Sequence, residues 1–281
     1  MSRAALLVLT AGAWWSPLAL AETAPLTAAE ARADQQFTTY AYAHEFGSGI
    51  YDFNGRTLQV YTLPFSWTLQ QSEGTATGWR LRLPVTLGFL DFKSSDVIST
   101  GLPDSVDSVT FVPGLQLTMK VGEHWTFLPY VQAGASAADE SDVETRLFGA
   151  GLRAERSWPV EAFEGSFAGE LGYSGVRYRG ELPDDDFVRL RNGVSLDRSV
   201  GRARSGHTLR LAFFSYVDVY LDPPTGPTTG IDVPEVQFES GFMLDTRPAL
   251  KFLRLPLPSI GLSYRFAGDL SSIRFVIGAP Y

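Results

Sequence analysis

The sequence predicts an all-β fold, a transmembrane antiparallel β-barrel of about 12 strands of the bacterial outer-membrane type. Three observations lead to this prediction: apolar and polar residues alternate along most of the chain, the alternating rows are long, and aromatic residues lie near their ends. The 281 residues are 44% hydrophobic and 13% aromatic, yet the mean hydropathy is only −0.01. Such a composition favours alternating faces over long hydrophobic runs.

The charge and the composition exclude several classes of function. Lys and Arg number 23 against 31 Asp and Glu, which gives a formal net charge of −8. A phosphate-binding surface for nucleic acid needs a basic excess, so we expect no nucleic-acid partner. The chain has no Cys and only 3 His. This excludes a disulfide framework, an iron–sulfur site and a thiolate zinc site, and we expect no cofactor and no metal.

The first 21 residues have the features of a secretory signal peptide. Arg3 is followed by an apolar run over 4–15, and Ala-Leu-Ala at 19–21 matches the small-residue cleavage pattern. The run has 12 residues, which is too short for a helix that spans a bilayer. We therefore predict that residues 1–21 are a signal peptide that is cut after Ala21.

The rest of the chain divides into a short segment and one large domain. Residues 22–36 contain Thr27 and Glu30 at the spacing of a capping box, so this N-terminal segment is predicted to have helical tendency. Alternation dominates after this segment. We therefore predict that residues 37–281 form the barrel domain.

One row shows the alternation most clearly. Apolar residues alternate from Trp79 to Phe89, while Arg80 and Arg82 lie on the opposite face. The row covers 11 residues, which is the length that a tilted membrane strand needs, whereas ordinary strands average about 5–6 residues. A soluble β-sandwich would alternate as well. The membrane barrel is favoured because the alternating segments are long, their polar faces carry charges, and aromatic residues lie near their ends.

The pattern predicts twelve strands. The segment 187–197 is included because Val188 and Leu190 alternate with Arg189 and Arg191, and because a bacterial barrel closes with an even number of strands. Acidic residues concentrate in the predicted outer loops, and basic residues concentrate in the predicted inner turns. The predicted strands are 37–46, 56–70, 78–91, 108–121, 124–137, 144–155, 162–178, 187–197, 206–221, 235–245, 259–267 and 271–281.

These rows also resemble a known family. The chain is similar to the solitary outer-membrane autotransporter-like β-barrel domain family at 79–89 (WRLRLPVTLGF), 125–135 (WTFLPYVQAGA), 187–196 (FVRLRNGVSL) and 261–281 (GLSYRFAGDLSSIRFVIGAPY). The resemblance extends over nearly all of 37–281. It implies a twelve-stranded barrel like the translocator domain of autotransporters, located in the cell outer membrane of a Gram-negative bacterium.

The translocator domains that the resemblance points to export a fused passenger. Only residues 22–36 lie between the predicted cleavage site and the predicted barrel, so we expect no export activity here. The expected function is that of an integral outer-membrane barrel with a structural or small-pore, porin-like role. Its expected surroundings are outer-membrane lipid and lipopolysaccharide.

The polar faces of the predicted strands contain the candidate lumen-lining residues. Two interpretations stay open for them: a paired network that fills the interior, or an electropositive lining that favours anionic solutes. The candidates are Arg80, Arg82, Lys120, Glu170, Arg189, Arg191, Arg210, Asp218, Glu239, Arg265 and Arg274.

The sequence gives little sign of catalysis, so we expect that the protein is not an enzyme. The alternative is an outer-membrane barrel hydrolase acting on lipid or lipopolysaccharide, which would need a Ser activated by a His. The nearest combinations are Ser205 with His207 and His44 with Ser48. The acidic run at 184–186 lacks the spacing of a calcium loop and is predicted to be a solvated loop.

The chain end carries a further pattern. Ile273, Phe275, Ile277 and Tyr281 put apolar side chains on one face and finish with an aromatic residue. By resemblance, this is the C-terminal signal that the barrel-assembly machinery recognises during biogenesis. We also expect this last strand to close the barrel by pairing with the first strand, near residues 37–46.

Overall fold

The fold was obtained as a computed structural model. The predicted signal peptide at 1–21 and the predicted helical segment at 22–36 lie outside the residues that the structure describes. No helix among the described residues is long and apolar enough to cross a bilayer. The described residues are 44–45, 47–53, 56–72, 76–90, 108–138, 144–178, 184–202, 206–223, 234–252, 255–256, 258–268 and 270–278.

Almost all of the described chain is β-strand. The longest strand has 18 residues and several others have 14 or more, well above the length of an ordinary strand. The strands are β1 (Gly49–Phe53), β2 (Arg56–Gln70), β3 (Gly78–Leu90), β4 (Ser108–Phe111), β5 (Gly114–Val121), β6 (Trp125–Ala138), β7 (Glu144–Val160), β8 (Phe163–Tyr178), β9 (Asp185–Arg202), β10 (Thr208–Asp222), β11 (Val236–Arg247), β12 (Lys251–Phe252), β13 (Leu255–Pro256), β14 (Ile260–Ala267) and β15 (Leu270–Ile277).

The strands form a closed antiparallel barrel. Neighbours along the chain pair with each other, and β15 returns to β1 over the register Gly49↔Arg274 to Phe53↔Leu270. β12 and β13 form a separate small hairpin, and β4 and β5 occupy one position in the barrel. The closed barrel therefore has 12 strands, which confirms the predicted fold class.

β4 and β5 are one strand with a short interruption. β3 pairs with β4 as far as Phe111 and resumes with β5 at Gly114 in the same register. The interruption faces Pro84 of β3, which has no N–H to donate to the ladder. On the other side, the N–H of Ala133 in β6 donates to the carbonyl of Pro113 at 3.0 Å. The break therefore coincides with two prolines, Pro84 and Pro113, neither of which can donate a backbone N–H to the ladder.

The two ends of the barrel differ. The end that carries the connections 91–107, 139–143, 179–184 and 223–235 is called the loop end. The opposite end, called the turn end, has tight connections such as residues 122–124 between β5 and β6. Gly122 has a φ of 64° in that turn, a backbone conformation that glycine adopts without strain.

Exposure alternates along the strands with a period of two. On β14, Arg265 is 0% exposed, whereas the neighbouring Tyr264 and Phe266 are 51% and 46% exposed. β11 repeats this order, with Glu239 at 0% and Phe238 at 48%. On these two strands the charged face therefore points into the barrel, and the apolar face points outward.

The predicted first strand at 37–46 is wrong where the structure describes it. His44 and Glu45 are helical, and the first barrel strand is β1, which therefore closes the barrel against β15. Two contacts explain the difference: the Glu45 side chain finds partners inside the barrel, and the Ser48 hydroxyl accepts from the N–H of Thr62 at 2.8 Å. Residues 37–43 lie outside the described residues.

Candidate functional site

The candidate site is the barrel interior, where buried charged and hydroxyl side chains converge between β9, β10, β11, β14 and β15. We call this group the central cluster. Its members are Arg191, Tyr216, Asp218, Gln237, Glu239, Ser263, Arg265 and Arg274, all of which are at least nine-tenths buried.

Glu239 is the main acceptor of the central cluster. Its carboxylate accepts hydrogen bonds from Arg265 Nε at 2.8 Å, and from Ser263, Tyr216 and Arg274. The barrel register brings these groups together, because Glu239 on β11 pairs with Tyr216 on β10 and with Arg265 on β14. The charge of one buried carboxylate is therefore shared by two guanidinium groups.

Arg191 and Asp218 form the second part of the central cluster. Arg191 Nε lies 2.6 Å from Asp218 Oδ1, and its Nη2 lies 2.7 Å from Oδ2, a bidentate arrangement. The same guanidinium stacks over the Tyr216 ring at 4.5 Å. Arg265 Nη2 lies 3.6 Å from Asp218 Oδ2, so both parts form one network.

A chain segment ahead of β1 enters the interior through Glu45. The Glu45 carboxylate accepts from the Ser174 hydroxyl at 2.6 Å and lies 3.3 Å from Arg189 Nη2. Burial raises the pKa of Glu45, but the hydrogen bond and charge of His44, the charge of Arg189 and the Ser174 hydroxyl lower this pKa by more. The net pKa lies below the ordinary value, so Glu45 is ionised at neutral pH.

Arg189 also extends this contact to the neighbouring strands. Its Nη2 lies 3.6 Å from Glu170 Oε1, which accepts from the Tyr130 hydroxyl at 3.1 Å. The guanidinium of Arg82 lies over the Tyr130 ring at 5.1 Å. The groups around Glu45 therefore connect strands on opposite parts of the wall, from β3 to β9.

A third group lies towards the turn end. Arg210 Nε donates to Asp197 Oδ1 at 2.8 Å, and Arg210 Nη2 donates to Glu164 Oε2 at 2.8 Å. A cavity of about 370 Å³ lies beside this group. Arg153 and Asp245 are among its other lining residues, together with the apolar Phe167 and Met243.

The predicted lumen residues fall into two groups in the structure. Eight of the eleven take part in ion pairs with described residues: Glu170, Arg189, Arg191, Arg210, Asp218, Glu239, Arg265 and Arg274. Arg82 packs on Tyr130. The part of the chain that the structure describes contains no ion-pair partner for Arg80 or Lys120, which are exposed near the turn end. This distribution favours a paired network over an electropositive lining.

Sequence reasoning missed several members of these groups. Tyr216 shares a strand face with Arg210 and Asp218, and Glu164 shares one with Glu170, so period-two spacing alone could have included both. Glu45 had no such signal, because it precedes the barrel and its partner Arg189 is 144 residues away.

The Ser and His combinations have other contacts in the structure. The Ser48 hydroxyl donates to the Thr62 carbonyl at 3.2 Å, and His44 Nε2 lies 3.2 Å from Glu45 Oε1. His207 Nδ1 lies 2.7 Å from the Pro248 carbonyl oxygen, and Ser205 is outside the described residues. No group of His, Asp and Glu among the described residues could hold a metal ion.

Comparisons with known structures identify the type of barrel fold. No family model matches the sequence, and no curated protein matches it either. The structure is similar to the β domain of the Bordetella autotransporter BrkA, with a TM-score of 0.55 and 10% identity over 81% of this chain and 94% of that one. The fold is that of an autotransporter translocator barrel. The translocator domain of NalP from Neisseria meningitidis matches with a TM-score of 0.51 and 11% identity over 88% of this chain and 94% of that one.

The likeness to translocator domains concerns the architecture of this chain alone. The matches span nearly the whole length of both known domains, so the likeness includes the complete closed barrel. At 10% and 11% identity, a shared fold carries no site residue from one protein to the other. The chemistry of this barrel therefore depends on the residues of its own interior.

Proposed function

We propose that this chain is an integral outer-membrane barrel with a structural role, whose lumen is closed to free passage of solutes. It is a translocator-type barrel in architecture, and its interior is occupied by paired charges. The proposal assigns no reaction to the protein.

The observation that carries the membrane location is the inverted distribution of polarity. Large apolar side chains such as Trp67 and Phe242 are 69% and 57% exposed on the outside, whereas Glu239 and Arg265 are fully buried inside. A soluble β-sandwich would bury the apolar faces and expose the charged ones. A lipid-facing exterior and a polar interior are what a barrel in a bilayer requires.

Closure of the lumen is supported by contacts that cross it. Glu45, which precedes β1, reaches across the interior to β8 and β9 through Ser174 and Arg189, and the central cluster adds buried side chains along five neighbouring strands. Charges in a narrow interior of low dielectric are stable when they are paired, and the pair between Glu45 and Arg189 would have to separate before a solute could pass. The same contacts support a structural role over a small-pore role.

Cell fractionation tests the membrane location. We expect the full chain, expressed in a Gram-negative host, to sediment with the outer membrane and to migrate differently on gels before and after boiling in SDS. Recovery of the protein in the soluble periplasm, with no difference between boiled and unboiled samples, would reject the proposal.

A further inference from the structure

Two arginines lie side by side on the outer surface at the loop end. Arg146 of β7 is the direct register partner of Arg177 of β8. Their chain neighbours Leu147 and Val176 are 2% and 1% exposed and face the interior, so both arginines point outward. Like charges at directly opposed positions repel, so an anion between the two guanidinium groups would stabilise this pair.

The guanidinium of Arg177 is held in place by its surroundings. It lies over the Phe148 ring at 5.0 Å from the centroid, and its Nε is 3.2 Å from Asp184 Oδ2. The Phe148 ring in turn lies across Gly175, where a Cβ atom would overlap it. A side chain at that position would displace the ring, so the glycine is part of what positions Arg177.

The arginine pair lies at the boundary between an aromatic level and the loops. The rings of Phe148 and Tyr173 are 6.0 Å apart on the same outer face, directly below the pair. Aromatic rings at this level are typical of the membrane interface, which places Arg146 and Arg177 at the depth of lipid headgroups. The adjacent outward position on β6 is Ala135, a small residue that leaves room beside Arg146.

The surface below the aromatic level is apolar. Leu152 and Leu171 are register partners on the same two strands and are 45% and 51% exposed, and Val131 on β6 is 59% exposed. A ligand that has a phosphate above and hydrocarbon chains below would match both levels at once. A soluble anion would use only the arginine pair.

We propose that Arg146 and Arg177 bind a phosphate group of a phosphorylated glycolipid in the leaflet on the loop side of the barrel. This proposal rests on the proposed outer-membrane function. Planar guanidinium groups bind phosphate oxygens in pairs, and two of them can hold one phosphate from both sides. Asp184 lies beside Arg177, and Asp186 accepts a hydrogen bond from the Tyr173 hydroxyl below the pair, so a bound phosphate competes with these carboxylates and its affinity decreases with added salt.

The test compares lipid binding by matched variants of the refolded full chain. The probe is bisphosphorylated lipid A, and its binding in detergent is measured by native mass spectrometry. We expect the double variant Arg146→Gln, Arg177→Gln to bind about tenfold more weakly than the wild type, a loss of about 1.4 kcal/mol. We expect the variant Arg146→Lys, Arg177→Lys, which keeps the charge without the planar fork, to lie between the two.

Two arginines at the turn end provide the control. Arg156 lies over Trp125 at 5.5 Å, and Arg198 lies over Phe163 at 5.3 Å, so both also stack on outward aromatic rings. They are on strands that do not adjoin each other. The variant Arg156→Gln, Arg198→Gln changes the net charge by the same amount, and we expect it to bind lipid A as the wild type does.

Three results would overturn the proposal: equal binding by wild type and the Arg146–Arg177 double variant, equal losses in both double variants, or full displacement of lipid A by millimolar inorganic phosphate. The last result would identify a site for free phosphate. All variants are first checked for insertion and heat-dependent gel migration. A chain that does not enter membranes contradicts the proposed function, whereas a chain that enters but shows one of these three results contradicts the lipid site alone.

Discussion

The Glu45 carboxylate lies 3.3 Å from the guanidinium of Arg189, although Glu45 precedes the first barrel strand and Arg189 is in β9. The same carboxylate accepts from the hydroxyl of Ser174 on β8. A segment that belongs to no strand is therefore fixed to the inner wall. This contact joins the start of the barrel to its far side and lies in the path that a solute would take.

The buried carboxylate of Glu239 offers a test of the central cluster. Glu239→Ala leaves Arg265 and Arg274 without their shared acceptor, and removal of one partner from a buried ion pair costs about 3–5 kcal/mol. We expect a lower urea midpoint for the variant when it is refolded in lipid vesicles. The control is Glu123→Ala in the exposed turn between β5 and β6, which should unfold as the wild type does. Equal midpoints for both variants would show that the cluster contributes nothing to stability.

The two faces of β3 differ in how they tolerate charge. Arg82 lies over Tyr130 inside the barrel, and Leu83 is on the opposite, lipid-facing side. An Arg on the lipid face near the middle of the bilayer costs about 2–4 kcal/mol. We expect Leu83→Arg to lower the folding yield in vesicles far more than Arg82→Leu does. If both variants fold equally well, the assignment of faces on β3 is shifted by one residue.

Gly134 on β6 allows close approach of the interrupted strand. A Cβ atom there would overlap the Phe111 carbonyl oxygen and Val112 Cα, where β4 ends. We expect Gly134→Ala to reduce the refolding yield, because the backbone would have to shift. The control is Gly201→Ala in β9, where a Cβ would meet nothing within 4 Å. A normal yield for Gly134→Ala would mean that the two strands separate there at little cost.

The C-terminal residue provides a test that separates recognition from stability. Ile273 and Phe275 point outward on β15 and are 56% and 45% exposed, and Tyr281 continues their spacing beyond the described residues. An extended segment of this kind can pair with a sheet edge while its alternate side chains fill pockets. We expect Tyr281→Asp to lower the outer-membrane level in cells, yet to refold normally in detergent. A normal level in cells would reject recognition by the barrel-assembly machinery.

The strands were predictable because their pattern is local. Side chains of a strand alternate between two faces, so the polarity of the sequence shows both the strand and its orientation. The segment 187–197 is an example, since it lies within β9 (Asp185–Arg202) with Arg189 and Arg191 inside. The strand prediction failed at His44 and Glu45 because alternation does not reveal whether a chain continues in the sheet or turns into the interior.

The sequence predicts which charged residues point into the barrel better than it predicts which of them form ion pairs. Alternation predicts that Arg274 and Glu239 point inward, but it does not predict that they meet, because β14 lies between β15 and β11. Which charges meet depends on the register of every pair of neighbouring strands. The pairing of Glu45 with Arg189 was even less predictable, because no periodic pattern relates a helical residue to a position 144 residues later.

Planar-bilayer conductance of the refolded chain tests most directly whether the lumen is closed. We expect the wild type to insert with very low conductance, and Glu45→Ala, which removes the contact with Arg189 and Ser174, to raise the conductance in discrete steps. The matched control is Glu161→Ala in the exposed turn between β7 and β8, which should leave the low conductance unchanged. A large, stable conductance of the wild type, equal to that of Glu45→Ala, would show that the lumen is open.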